Sequence, residues 1–165
     1  MDPAAQSNEE RRASVNMQGA ADRADKILDE VLAGIRPEVQ WAHDPTTTGK
    51  CDVSRRRTVM TVISTERRGS FLGVVERFWR KNGYRIKAIN NDADVPAVYA
   101  RTSDGFGVSL SVGGKGQAFF QVDSPCVEKS DVAESTTPPN GPAYEGVYPL
   151  PRPNIRSSFW SAGAP

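Results

Sequence analysis

Four consecutive segments in which apolar and polar side chains alternate constrain the fold of this chain more than any other feature. The segments are 84–89, 97–102, 107–112 and 117–122. A period of two places one set of side chains against a core and the other set on the opposite face of a sheet. The turns between the segments are short, and Asp104-Gly105 is typical of a hairpin turn. The pattern predicts an antiparallel sheet with one buried face.

Two amphipathic helices and one further strand complete the predicted core. Apolar residues recur at three- and four-residue steps through 24–35, and Pro37 prevents the helix from continuing. The segment 71–79 has the same periodicity and stops at Asn82-Gly83. The β-branched segment 57–64 predicts a central strand. We therefore expect a two-layer α+β domain, with two main helices on one face of a largely antiparallel sheet of five or six strands.

The composition divides the chain into an arm, a domain and a tail. Residues 1–19 are polar and lack periodicity, which predicts a disordered arm before a domain at 20–128. Residues 129–165 carry seven of the twelve prolines and predict a Pro-rich, partly extended tail. We expect the aromatic residues of this tail to dock on the domain or to bind a partner. They are Tyr144, Tyr148, Phe159 and Trp160.

The two cysteines indicate a disulfide bond. Cys51 shortly precedes the central strand and Cys126 directly follows the last one, so neighbouring antiparallel strands would bring both to the same edge of the sheet. Such a bond persists in an oxidising compartment. The alternative is a cytosolic protein with two separate thiols. The spacing of the cysteines fits no zinc or redox motif, so we expect neither a metal nor a cofactor.

Neither the glycine cluster nor the histidine predicts an active site. A phosphate loop requires a following Ser or Thr and a helix, whereas the glycines at 113–116 lie between two predicted strands, which favours a hairpin with Lys115 at its tip. His43, the single histidine, is followed by Asp44 in a segment that predicts a surface turn. Glu66 and Glu76 lie near arginines, which favours ion pairing. An enzyme would need a pocket around His43, Asp44 and arginines.

Positive charge is concentrated in one part of the chain. Residues 51–90 contain ten lysines and arginines against three aspartates and glutamates, although the whole chain has a net charge of +1. Such a cluster is typical of a solvated surface or of a site for a polyanion. No helix-turn-helix or RNA-binding motif indicates a nucleic acid. The candidate anion-binding residues are Arg55, Arg56, Arg57, Arg67, Arg68, Arg80 and Lys81.

Several motifs resemble those of small exported proteins and lipoproteins of actinomycetes, Streptomyces in particular. They are the Cys before "RRR", the helix "RRGSFLGVVERFWRKNGY", the turn "DGF", the strand "GQAFF" and the Pro-Cys that follows it. The resemblance covers about 20–165 and implies export, lipid anchoring and a disulfide, without an assigned activity. The sequence departs from the pattern of these proteins in one respect. Residues 1–20 contain neither the apolar core of a signal peptide nor a lipobox cysteine. We also expect no membrane-spanning helix.

These observations predict a non-enzymatic protein of the cell envelope or the extracellular space. We expect it to bind a partner protein or an anionic envelope polymer. The first alternative is a cytoplasmic regulatory or interaction domain with free thiols. The second is an arginine-assisted hydrolase.

Overall fold

A computed structural model describes residues 15–113, 116–142 and 154–165. It contains the helices α1 (Met17–Ala33) and α2 (Arg68–Lys81). Its strands are β1 (Trp41–His43), β2 (Thr47–Thr48), β3 (Val53–Val59), β4 (Arg85–Asn90), β5 (Ala97–Arg101), β6 (Gly107–Val112) and β7 (Ala118–Asp123). Residues 1–14 of the predicted arm and Lys115 lie outside the described residues.

All seven strands belong to one sheet with the order β1-β3-β7-β6-β5-β4, and β2 pairs with β3 beside this path. Every pair of strands is antiparallel, which confirms the predicted α+β fold. The sheet exceeds the expected five or six strands because 41–48 contributes two short strands, both of which pair with β3. The predicted hairpin is also confirmed, since Val112 lies opposite Ala118 and the Gly113 amide donates to the Gln117 carbonyl at 2.8 Å.

Both helices cover the same face of the sheet. The side chain of Asn16 caps α1 by accepting a hydrogen bond from the Gly19 amide at 2.9 Å. The helix buries a stripe that includes Ile27 and Leu28 against β3 and β7. The second helix, α2, packs on β4, β5 and β6 and also contacts α1. Its Trp79 meets Phe120 of β7 edge to face, with 6.5 Å between the ring centroids.

The face of the sheet that points away from the helices is called the open face below. No described helix packs on it. Its side chains follow from the strand registers, since residues directly opposite one another in a sheet share a face. They include Arg56 and Thr58 of β3, Phe119 and Gln121 of β7, Ser109 and Ser111 of β6, and Tyr99 and Arg101 of β5.

The central strand begins and ends earlier than the sequence predicted. It runs over Val53–Val59, whereas its apolar pattern indicated 57–64. Residues beyond Met60 leave the sheet and meet the C-terminal segment, where the Val62 amide donates to the Ile155 carbonyl at 2.8 Å. The Ser64 amide donates to the Trp160 carbonyl at 2.9 Å. The apolar character of 57–64 therefore has two causes, since its first residues are buried in the sheet and its last residues are covered by the C-terminal segment.

The described parts of the tail pack on the domain. Near the start of the tail, the Gln18 amide donates to Oγ of Ser130 at 3.0 Å. Asn140 accepts a hydrogen bond from the Trp41 amide at 2.8 Å. Trp160 has no exposed surface, and its indole N–H donates to the Pro37 carbonyl at 2.6 Å. Trp160 is therefore a core residue and does not offer its ring to a partner.

Candidate anion-binding surface

Cys51 and Cys126 form the expected disulfide bond. Their Cα atoms are 4.8 Å apart, and the bond lies where β3 begins and β7 ends. The bond accounts for both cysteines of the chain. The described helices include none with the length and apolar character needed to cross a bilayer.

Arg57 is buried in the core and does not lie on an anion-binding surface. Its side chain has no exposed area, and Nη1 lies 2.7 Å from Oδ1 of Asp29. Nη2 lies 3.5 Å from Oδ1 of Asp25, and the guanidinium carbon lies 4.1 Å from the centroid of the Trp41 ring. The prediction is wrong for Arg57 because this position of β3 faces α1, where two carboxylates neutralise the charge.

Arg55 faces the same way, and the prediction is wrong for it for the same reason. The side chain is 4% exposed, and Nε lies 3.5 Å from Oδ2 of Asp25. Its two terminal nitrogens donate to Thr46 Oγ1 and, at 2.7 Å, to the Ala133 carbonyl. Arg55 thus links β3, α1 and the tail.

Arg67 and Arg68 are occupied by contacts within the protein. Arg68 is buried and donates to the carbonyls of Asp94 at 2.8 Å and Ile63 at 3.4 Å. The guanidinium of Arg67 lies 4.3 Å from the ring centroid of Phe159 and donates to the Phe159 carbonyl at 3.1 Å. Phe159 remains 36% exposed. The predicted partner-binding residues Tyr144 and Tyr148 lie outside the described residues.

Six exposed cations form a basic strip that starts in the last turns of α2 and continues across the edge strand β4 to β5. They are Arg77, Arg80, Lys81, Arg85, Lys87 and Arg101. Arg80 pairs with Glu76 one helical turn earlier, at 3.3 Å. Gly83, with φ of 82°, makes the tight turn that brings the end of α2 next to the start of β4.

The most informative part of the strip is the pair Arg85 and Arg101. These two residues lie directly opposite each other in the β4–β5 ladder, and both are exposed. Two like charges in this position destabilise a sheet. Within the described residues, the ion pairs of the protein involve neither of them, nor Lys87. Arg101 was not among the predicted site residues, because the irregular register between Ile86 and Ala88 hides its partner in the sequence.

The structure does not bring His43 and Asp44 together as a catalytic pair. The His43 ring meets Trp41 edge to face at 4.8 Å, and its Nε2 lies 2.7 Å from the Thr137 carbonyl, to which it donates. Asp44 instead lies by Thr58 and Arg56, whose side chains are on the open face. Nor do the described residues contain a cluster of three or more His, Cys, Asp or Glu side chains able to hold a metal ion.

Comparison with known proteins adds little to this geometry. No family model and no curated protein matches the chain. One solved structure that resembles it is that of a DUF4853 family protein from Actinomyces odontolyticus, with 13% sequence identity and a TM-score of 0.38, over 81% of this chain and 78% of that chain. The neighbour comes from an actinomycete, the group that the sequence resemblance named. A similarity of this size carries no argument about function, and lipid anchoring stays a prediction.

Proposed function

We propose that the protein is a non-enzymatic component of the cell envelope that binds an anionic envelope polymer along the basic strip. The observation that carries the proposal is the exposed pair of Arg85 and Arg101, which lies in direct register without an acidic partner among the described contacts. An anion that bridges the two guanidinium groups would relieve their repulsion. The disulfide supports a location in an oxidising compartment.

The shape of the strip favours a polymer over a small anion. The cations extend from a helix end over a sheet edge and are exposed throughout. An isolated ion pair at such a surface is screened by salt and contributes little. A polymer with repeated charges contacts several cations at once and releases the counterions of each contact. Binding would then depend steeply on ionic strength.

The test compares two double charge reversals that change the net charge equally. Arg85→Glu with Arg101→Glu changes the strip, whereas Lys50→Glu with Lys129→Glu changes two exposed lysines close in sequence to the disulfide. The affinity for a labelled glycerol-phosphate polymer would be measured by fluorescence anisotropy over a range of salt concentrations. We expect the strip variant to bind at least about tenfold more weakly, with a shallower salt dependence. The control should retain most of its affinity.

Charged residues on an edge strand can also serve only to prevent pairing with other chains. In that case the native protein would show no salt-dependent affinity for the polymer, and the strip variant would differ in aggregation alone. Equal losses in both variants would also overturn the proposal, because they would indicate a response to net charge without a site.

A further inference from the structure

A shallow basin opens on the open face between β2, β3 and β7, away from the basic strip. Its volume is about 240 Å³. Phe119 and Pro45 supply apolar surface, while the polar residues around them come from all three strands and from the segment that follows β1. The full lining is Asp44, Pro45, Thr47, Ser54, Arg56, Thr58, Phe119 and Gln121.

Arg56 is held in this basin from two sides. Its guanidinium carbon lies 4.2 Å from the centroid of the Phe119 ring, which fixes the plane of the group. Its Nε is buried and lies 3.6 Å from Oδ2 of Asp44. The side chain is nevertheless 41% exposed, in contrast to its buried neighbours Arg55 and Arg57. The two terminal nitrogens make none of the hydrogen bonds of the described residues, and of the three guanidinium nitrogens only Nε is both buried and unpaired, so the terminal nitrogens are accessible.

We propose that this basin binds an oxyanion group, a carboxylate or a phosphate, on the two terminal nitrogens of Arg56. In the described part of the chain, the neighbouring Arg55 and Arg57 donate hydrogen bonds through Nη atoms, whereas the contacts of Arg56 involve Nε and the face of the group. The Nη1–Nη2 edge of a guanidinium matches the two oxygens of a carboxylate or phosphate. Because Phe119 and Asp44 already hold the side chain, binding immobilises it at little further entropic cost.

Asp44 sets the strength of this site. Its carboxylate oxygens lie 2.7 and 2.8 Å from Oγ1 of Thr58. Burial raises the pKa of Asp44 above its usual value, and this outweighs the opposing effects of the Thr58 hydrogen bond and the Arg56 charge. The charged groups next to it are Arg56 of β3 and its neighbour His43 of β1. The side chains of β2 and β7 that line the basin are uncharged, and the carboxylate of Asp123 at the end of β7 lies behind them, where it accepts hydrogen bonds from Ser54 and Gln121. An ionised Asp44 competes with the ligand for Arg56, so anion binding strengthens as the pH falls and Asp44 is protonated.

The inference does not depend on polymer binding. Arg56 lies on β3, three strands away from Arg101 on β5, a distance of about 14 Å at the usual spacing of strands. The two sites can therefore be changed separately.

The experiment follows backbone amide shifts of the ¹⁵N-labelled protein by NMR during titration with two probes. Dimethyl phosphate, which keeps one negative charge across the pH range, represents a phosphate diester, and acetate represents a carboxylate. We expect saturable shifts centred on Arg56, Phe119 and Gln121. Arg56→Gln should weaken binding at least about tenfold, since it removes the charge and the paired donors. Arg56→Lys should restore it only in part, because an ammonium group lacks the planar pair. The relative affinities of the two probes at pH 7.5 identify the source of the oxyanion.

Asp44→Asn separates the site from a general response to charge. For dimethyl phosphate, this variant should bind several-fold more tightly at pH 7.5 and should no longer gain affinity between pH 7.5 and 4.5. Arg101→Gln is the matched control and should leave the shifts at the basin unchanged. Shifts of the same size in Arg56→Gln, or shifts spread over all exposed arginines without saturation, would overturn the proposal. An unchanged spectrum outside the basin verifies that each variant is folded.

Discussion

At the scale of single residues, position in β3 decides what an arginine does. Arg55 and Arg57 point towards α1 and are neutralised by Asp25 and Asp29, whereas Arg56 points to the open face. The sequence "RRR" alone presents three equal candidates for anion binding. Their alternation between the two faces of the sheet separates them. The buried pair is part of the core, and only the central arginine is accessible to a ligand.

Asp25 is the carboxylate that both buried arginines share, at 3.5 Å from each. Asp25→Asn keeps the size of the side chain but leaves two buried guanidinium groups with a single carboxylate. We expect a loss of about 3–5 kcal/mol in the free energy of unfolding, measured by urea denaturation. The control is Glu76→Gln, which breaks the exposed pair with Arg80 and should cost less than about 0.5 kcal/mol. If Asp25→Asn lowered the free energy of unfolding as little as Glu76→Gln does, the buried cluster would not stabilise the protein.

The lowered pKa of Asp104 should make the stability of the fold depend on pH. Burial acts to raise its pKa, but the hydrogen bonds from Thr102 and Arg23 and the charge of Arg23 outweigh this effect, so the pKa lies below its usual value. A lowered pKa in the folded state stabilises the protein above the usual value of 3.8, and this contribution is lost as the pH falls through the folded-state pKa. Asp104→Asn should therefore cost up to about 1 kcal/mol at pH 7 and reduce the loss of stability in acid. Thermal unfolding between pH 2 and 7 tests this, with the exposed Asp131→Asn as control.

At the scale of elements, the sequence predicts the helices and strands that local patterns determine. It misses features that depend on contacts with segments distant in sequence. Strict alternation located β6 and β7, and helical periodicity located α2. The bounds of β3 were wrong because its arginines read as polar positions, although Asp25 and Asp29 of α1 allow two of them to be buried. The basic strip was predicted only in part for a similar reason. Arg101 joins it through pairing between strands, which no local pattern encodes.

Trp160 anchors the C-terminal segment in the core, where it packs against α2. Its ring meets Phe71 of α2 edge to face at 5.1 Å and is completely buried. Trp160→Ala would leave a cavity and an unpaired Pro37 carbonyl, so we expect a loss of about 3–5 kcal/mol in the free energy of unfolding. The adjacent Phe159→Ala removes a ring of which a third is exposed and should cost clearly less. If the two substitutions had the same small effect in urea denaturation, the segment would not be part of the core.

At the scale of the whole molecule, the tail and the domain share one core. Buried residues from α1, α2, the sheet and the C-terminal segment form a single hydrophobic cluster. Arg55, which donates to the Ala133 carbonyl, and Trp160, which donates to the Pro37 carbonyl, join the tail to the domain at separate points. The predicted boundary at residue 128 thus marks a change in composition, across which the contacts continue.

This shared core predicts a single cooperative unfolding transition. The three tryptophans report on different parts of it, since Trp41 lies in β1, Trp79 in α2 and Trp160 in the C-terminal segment. With the disulfide intact, we expect urea denaturation curves from tryptophan fluorescence and from far-ultraviolet circular dichroism to superimpose. In Trp160→Phe, which removes the reporter of the tail, the two curves should still coincide with each other. A fluorescence change in the native protein that precedes the loss of helix, and is absent from Trp160→Phe, would mean that the tail detaches first and that its contacts are weaker than those within the domain.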